Sequence, residues 1–246
     1  MDYDVFSHYY DLLTQDVDYK SRTEYLIKLF NKYGKTPSLL LDLGCGTGGF
    51  SLEFAEKGID VIGVDPSFGM VSVAKERAEE KGLDLLFLNQ SGEELDLYGT
   101  VDGAVCCLDT VNHIISKREL QRTFNKVRLF LEQGCLFIFD VNTLFKQETV
   151  LGNNTFVYDT DGVYCVWQNS FDKKTGITDI CLDFFEKGDN GYKRTTEEFS
   201  ERVYEKQELE ALLKKAGLSL VACFGENTFS APKKTTQRCV IVARKG

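Results

Sequence analysis

Residues 39–50 constrain this chain more than any other stretch. Leu39-Leu40-Leu41-Asp42-Leu43 is an apolar run broken by one acid, and Gly44-Cys45-Gly46-Thr47-Gly48-Gly49-Phe50 follows at once. A run of that kind reads as a buried strand. The glycines after it let the backbone turn tightly and let a ligand approach the exposed amides at the start of the next helix. The segment therefore predicts a strand, a ligand-binding turn and a helix.

The pattern continues on both sides. Ser38 to Leu43, Val61 to Asp65, Leu83 to Leu88, Val101 to Leu108 and Cys135 to Asp140 read as buried strands. Between them, Phe50 to Lys57, Phe68 to Lys81 and Lys117 to Leu131 have helical spacing. In the second of these, Met70, Val71, Ala74 and Ala78 fall on one side and Lys75, Glu76, Glu79 and Glu80 on the other, and Gly82 stops the helix. Continuous apolar strands alternating with helices predict a parallel sheet covered on both faces.

Between about 150 and 204 the period changes to two. Val163, Cys165, Trp167, Asn169 and Phe171 share one face of a strand, and Thr178, Ile180, Leu182 and Phe184 share one face of the next. Asp161-Gly162, Thr175-Gly176 and Asp189-Asn190-Gly191 supply the turns. This predicts an antiparallel β insertion over 150–204. Helical spacing returns at Glu205 and ends at Gly217, and strands over Leu218 to Phe224 and Arg238 to Ala243 close the core. Residues 1–34 are aromatic-rich and read as a helical cap, leaving 35–149 and 205–246 as the core.

Charge and cysteine usage exclude several functions. The formal net charge of −9 opposes a nucleic-acid partner, and no basic run offsets it. The start, Met1-Asp2-Tyr3-Asp4, is acidic and unlike a secretory signal, and no stretch has the apolar length of a membrane span. The eight cysteines lack metal-ligand spacing and only two histidines accompany them, so no metal site is expected; free thiols in that number suit a reducing, cytoplasmic compartment.

The glycine turn fits two ligand classes. Gly44, Gly46 and Gly49 satisfy the spacing of a dinucleotide fingerprint, and Asp65, 21 residues after Gly44, stands where an acid accepts both ribose hydroxyls. Against a dinucleotide, Asp42 would face a pyrophosphate unfavourably, whereas it suits the α-ammonium of a methionine moiety. The chain also ends in a helix and two strands rather than a second mononucleotide half.

Here the residues carry a resemblance. Leu41-Asp42-Leu43-Gly44-Cys45-Gly46-Thr47-Gly48 resembles the first motif of class I S-adenosylmethionine methyltransferases, and Gly63-Val64-Asp65-Pro66-Ser67-Phe68-Gly69-Met70 the second. Leu88-Asn89-Gln90-Ser91-Gly92-Glu93-Glu94-Leu95 is similar to the third, and Val101 to Asp109 to the fourth. Phe6-Ser7-His8-Tyr9-Tyr10-Asp11-Leu12-Leu13 resembles the start of a small-molecule branch that includes sugar N,N-dimethyltransferases and relatives of glycine N-methyltransferase. The resemblance implies a Rossmann-like, seven-stranded, mostly parallel core and S-adenosylmethionine as cofactor. It implies cofactor contacts from Asp42, Gly44, Cys45, Gly46, Asp65, Pro66, Met70, Gln90, Ser91, Gly92 and Leu108. In the third motif Ser91 stands where the family usually presents an Asp to the adenine amine.

Each candidate also has a plainer reading. Asp42 could be satisfied by neighbouring amides, Asp65 and Ser67 could be helix N-caps, and Met70 could be core. Tyr10, in the aromatic cap, and His113, just past the fourth strand, are the candidate catalytic residues, and both could simply pack. His8 reads as surface and Trp167 as core of the insertion. The expected reaction is methyl transfer to a small-molecule acceptor, nitrogen favoured, with a homodimer through the β insertion as the expected assembly. An RNA-base methyltransferase, a nicotinamide-linked oxidoreductase and a non-catalytic S-adenosylmethionine sensor are the alternatives.

Overall fold

In a computed structural model, the structure describes Tyr9, Thr14 and residues 17–160, 162–189 and 191–246. The apolar run becomes strand β1 (Leu39–Leu43), placed in the interior of a sheet. Its neighbours are β2 (Asp60–Asp65), β3 (Leu86–Asn89), β4 (Gly103–Cys106) and β5 (Leu136–Asn142), all parallel to it. From the end of the chain come β10 (Leu218–Gly225) and β11 (Arg238–Lys245). The seven strands are ordered β10-β11-β5-β4-β1-β2-β3, and β11 runs antiparallel to both of its neighbours. The order reverses between β1 and β4, so their carboxyl ends open a crevice, the place where ligands bind in sheets of this kind.

Helices cover both faces. Helix α1 (Tyr19–Tyr33) and helix α2 (Gly49–Glu56) bury Leu29, Phe30 and Phe54 against Leu40, Val105 and Ile138 on one face. Helix α3 (Phe68–Glu80) adds Val71, Ala74 and Ala78, as its spacing predicts. On the other face, helix α5 (Lys117–Phe130) and helix α6 (Lys206–Ala216) bury Leu120, Phe124, Leu209 and Leu213; the four-residue α4 (Thr110–His113) precedes them. Caps set the boundaries: Ser67 Oγ accepts from the Met70 amide and Ser116 Oγ from the Glu119 amide, and Gly217 ends α6 at φ +80°.

The β insertion forms a separate four-stranded antiparallel sheet, β6 (Thr155–Thr160), β7 (Val163–Asp172), β8 (Ile177–Gly188) and β9 (Gly191–Arg202), in sequential order. Val163, Cys165, Ile180, Leu182, Phe184 and Phe199 make its core, and Tyr9 stacks on Phe184 at 5.4 Å. Trp167 is half-buried and donates to Asn169 Oδ1 at 2.7 Å. Tyr10 and His8 lie outside the described residues.

Two expected strands are shorter than their apolar runs. The third begins at Leu86, not Leu83, after the turn at Gly82. The fourth stops at Cys106, because Leu108 and Asp109 adopt left-handed backbone, φ +53° and +58°, under the hold of a neighbouring carboxylate described below. No helix among the described residues is long and apolar enough to cross a membrane.

Phe124, Phe137 and Phe139 are fully buried, with ring centroids 4.9 to 6.0 Å apart. Phe137→Ala removes one ring of that cluster and is expected to lower the unfolding free energy by about 3–5 kcal/mol in urea titration. A loss under about 1 kcal/mol would contradict a tightly packed face at this position.

Candidate active site

The glycine turn lies at the β1 end of the crevice. Gly44, Gly46 and Gly48 have φ of +73°, +52° and +83°, a region that disfavours side chains. A Cβ on Gly44 would come within 2.3 Å of Thr110 Cγ2, so β1 and α4 approach each other only because this residue has no side chain. Arg77 of α3 donates to the Thr47 carbonyl and hydroxyl at 3.2 and 3.1 Å, tying the turn down from beneath.

Asp65 ends β2 beside the turn. Its Oδ2 accepts from the Gly46 amide at 3.0 Å and its Oδ1 from the Ser67 amide at 2.9 Å. Burial raises its pKa, and those two amides oppose the shift. Each oxygen keeps a lone pair, so a ribose can still be held. Ser67 is the N-cap of α3, as its plainer reading held.

Asp42 lies under the turn rather than on its surface. It is 1% exposed, and its Oδ2 accepts from Ser51 Oγ at 2.6 Å. Burial pushes its pKa up to about 6, against the Ser51 bond and with help from the Asp65 charge. A buried carboxyl that resists ionising gains from a cation placed above it.

Cys45 and Met70 are buried, and Pro66 is exposed at the crevice edge beside Phe68, which is 73% exposed. At the proposed adenine wall, the Gln90 side chain is occupied: Oε1 accepts from the Asp96 amide at 3.0 Å and Nε2 donates to the Asp96 carbonyl. Ser91 Oγ donates to Glu94 Oε2 at 3.2 Å. Gly92 opens a short turn against α5, where a Cβ would meet Thr123 at 2.8 Å.

The other side of the crevice is built by residues far apart in sequence. Asp140 of β5 accepts from the Leu108 and Asp109 amides at 2.9 and 2.7 Å, which holds both residues in their left-handed backbone. Arg238 of β11 donates to Asp140 at 2.8 Å and to Asp109 at 3.0 Å. Burial raises the Asp109 pKa, but Arg238 and Lys146 overcome it and hold this carboxyl well below the ordinary range.

Asn142 Nδ2 donates to Asp109 Oδ2 at 2.7 Å and to Glu201 Oε2 at 3.0 Å. Glu201, on β9, is 3% exposed, and burial and the Asp109 charge raise its pKa. Gln147 also donates to Glu201 and accepts from Thr178. His113 is at the rim, with Nε2 4.0 Å from Glu201 Oε1 and its ring 5.3 Å from that of Phe199.

The crevice thus gathers Asp42, Gly44, Cys45, Gly46 and Asp65 around one turn, with Leu108 and His113 across from them. The His113 charge is near enough to act on Asp65. Asp109, Asp140, Asn142, Glu201 and Arg238 were not singled out as site residues from the sequence. One signal for Glu201 was available: it shares its strand face with the buried Phe199, so a charge falls on an apolar face.

The raised Asp42 pKa gives a test. A ligand ammonium pairs with the ionised acid, so affinity should rise with pH through about 6. Calorimetry with S-adenosylhomocysteine is expected to show weaker binding at pH 5 than at pH 8, a difference that Asp42→Asn abolishes. The same pH dependence in Asp42→Asn would remove Asp42 from the ligand's field.

The comparisons with known proteins agree with this geometry. A methyltransferase domain model matches residues 40–134. The chain is 30% identical to YqeM of Bacillus subtilis strain 168, a methyltransferase by name, over 100% of this chain and 98% of that one. It superposes on an S-adenosylmethionine-dependent methyltransferase from Clostridium acetobutylicum ATCC 824 with a TM-score of 0.89 and 32% identity, over 99% of each chain. The sugar N-methyltransferase KedS8 from Streptoalloteichus has the same fold, with a TM-score of 0.76 at 18% identity over 95% of this chain and 92% of that one. The chain belongs to the class I S-adenosylmethionine-dependent methyltransferases.

Proposed function

We propose that this enzyme methylates a nitrogen of a small-molecule acceptor held against Asp109, His113 and Glu201. The observation that carries the reading is the charge of that wall. Asp109 and Asp140 share the buried guanidinium of Arg238 with Glu226, and Glu201 is a further buried acid whose pKa the Asp109 charge raises, so this wall favours a cationic acceptor. The likeness in fold to KedS8, a sugar N-methyltransferase, supports an amine, and the net charge of −9 speaks against RNA.

Asp65 is the residue proposed to hold the cofactor ribose, and Asp42 acts through its charge on the methionine ammonium. Gly44 and Gly46 let the backbone come close, and Leu108 forms the facing wall. S-adenosylmethionine supplies the reaction with a methyl group already activated on a sulfonium. The chain then has to position the acceptor, exclude water and manage one proton; positioning alone is worth roughly 7–11 kcal/mol.

An amine arrives protonated at neutral pH and attacks only after losing that proton. His113 is 34% exposed at its side chain, whereas Glu201 is 4% exposed, so His113 is the member of the pair that an acceptor reaches. It takes the proton, and Glu201, 4.0 Å from its Nε2, stabilises the imidazolium. Tyr10 is kept as a second proposed acceptor contact.

A methyl-transfer screen over amines, phenols, carboxylates and RNA is expected to return amines. On the amine found, His113→Asn should lower kcat/KM by roughly tenfold to ten-thousandfold with S-adenosylhomocysteine affinity unchanged. Turnover of RNA alone, or wild-type rates in His113→Asn, would overturn the reading.

A further inference from the structure

Two carboxylate oxygens and an imidazole nitrogen meet where α4 and β9 face each other. A carboxylate oxygen of Asp109, an imidazole nitrogen of His113 and a carboxylate oxygen of Glu201 all lie within 4.8 Å of one another. Donors hold the carboxylates from behind. Asn142 and Gln147 donate to Glu201 Oε2, and Asn142 and Arg238 to Asp109. An outer shell of this kind is what orients metal ligands.

The front of the cluster has a different spacing. Glu201 Oε1 and His113 Nε2 are 4.0 Å apart, too far for a hydrogen bond. Ligand atoms around a tetrahedral ion, with bonds of about 2.1 Å, stand roughly 3.4 Å apart. Closing that difference takes a small rotation of the half-buried imidazole.

One further observation bears on the cluster. Asn142 is fully buried with its amide between the two carboxylates, and its Oδ1 has no hydrogen-bond partner.

We propose that Asp109, His113 and Glu201 form a divalent-cation site, with Asn142 as a donor that orients both carboxylates. One imidazole and two carboxylates suit Mn²⁺, Fe²⁺ or Zn²⁺ rather than the softer Cu(I). The ion and a protonated acceptor need the same three groups, so each excludes the other. An ion on His113 also removes the group that accepts the amine's proton. The site therefore makes the enzyme open to inhibition by divalent cations.

The test uses Mn²⁺, because the cysteine thiols compete for softer ions. The full chain is titrated with Mn²⁺ and the free ion is read by electron paramagnetic resonance, for wild type, His113→Asn and Glu201→Gln, each checked for folding by circular dichroism. The expected result is one ion per wild-type chain, with affinity reduced about tenfold or more in both variants. No bound ion in the wild type, or wild-type affinity in either folded variant, overturns the site. If Glu201→Gln does not fold, His113→Asn alone decides. The measurement needs no acceptor, so its failure leaves the amine reading standing.

Discussion

The guanidinium of Arg238 closes the catalytic end of the sheet. It is 8% exposed and lies between Asp140, Asp109 and Glu226. Buried charges persist only when paired, and removing one partner leaves the others uncompensated. Here the pairing also shapes backbone, because the Asp140 that Arg238 holds is the acceptor for the Leu108 and Asp109 amides. Glu226 in turn pairs with Arg22 of α1 at 2.5 Å. The last strand, the strand beside it and the first helix described thus meet on one ionic cluster. The wall facing the glycine turn is complete only when α1 and β11 are in place.

The two walls of the crevice share an electrostatic character. Asp42 and Asp65 on the cofactor side, and Glu201 on the acceptor side, all have pKa values raised first by burial. Each costs free energy to ionise in the ligand-free protein, and each gains from a cation. S-adenosylmethionine brings a sulfonium and an ammonium, and the amine acceptor proposed above would bring a third positive charge. The acids therefore both select cationic ligands and draw stabilisation from them, which couples ligand charge to the stability of the site.

The side of the crevice around the glycine turn was legible in the sequence because it is local. Leu39 to Phe50 and Asp65 to Met70 each form one strand end, one turn and one helix start, and glycine spacing, the Ser67 cap and the apolar face of α3 can all be read within a dozen residues. The period change after residue 150 was legible for the same reason, since strand alternation needs no partner. The facing wall was not. Arg238 and Asp109 are 129 positions apart, and nothing local to either announces the other. Asp109 reads as the end of an apolar run, Asn142 falls two residues past the expected fifth strand, and Glu201 offers only a charge on an apolar strand face. Their meaning comes from tertiary approach. The ends of the third and fourth strands were misjudged because apolar runs record burial, whereas strand limits record where backbone partners end.

The most direct measurement is a crystal structure of the full chain with S-adenosylhomocysteine. The expected result is a ribose on the Asp65 carboxylate, the methionine ammonium above Asp42, and the sulfur turned toward Leu108, Asp109 and His113. A ligand bound away from the glycine turn, or one with its sulfur facing away from the Asp109–His113 wall, would contradict the assignment of the two halves of the site.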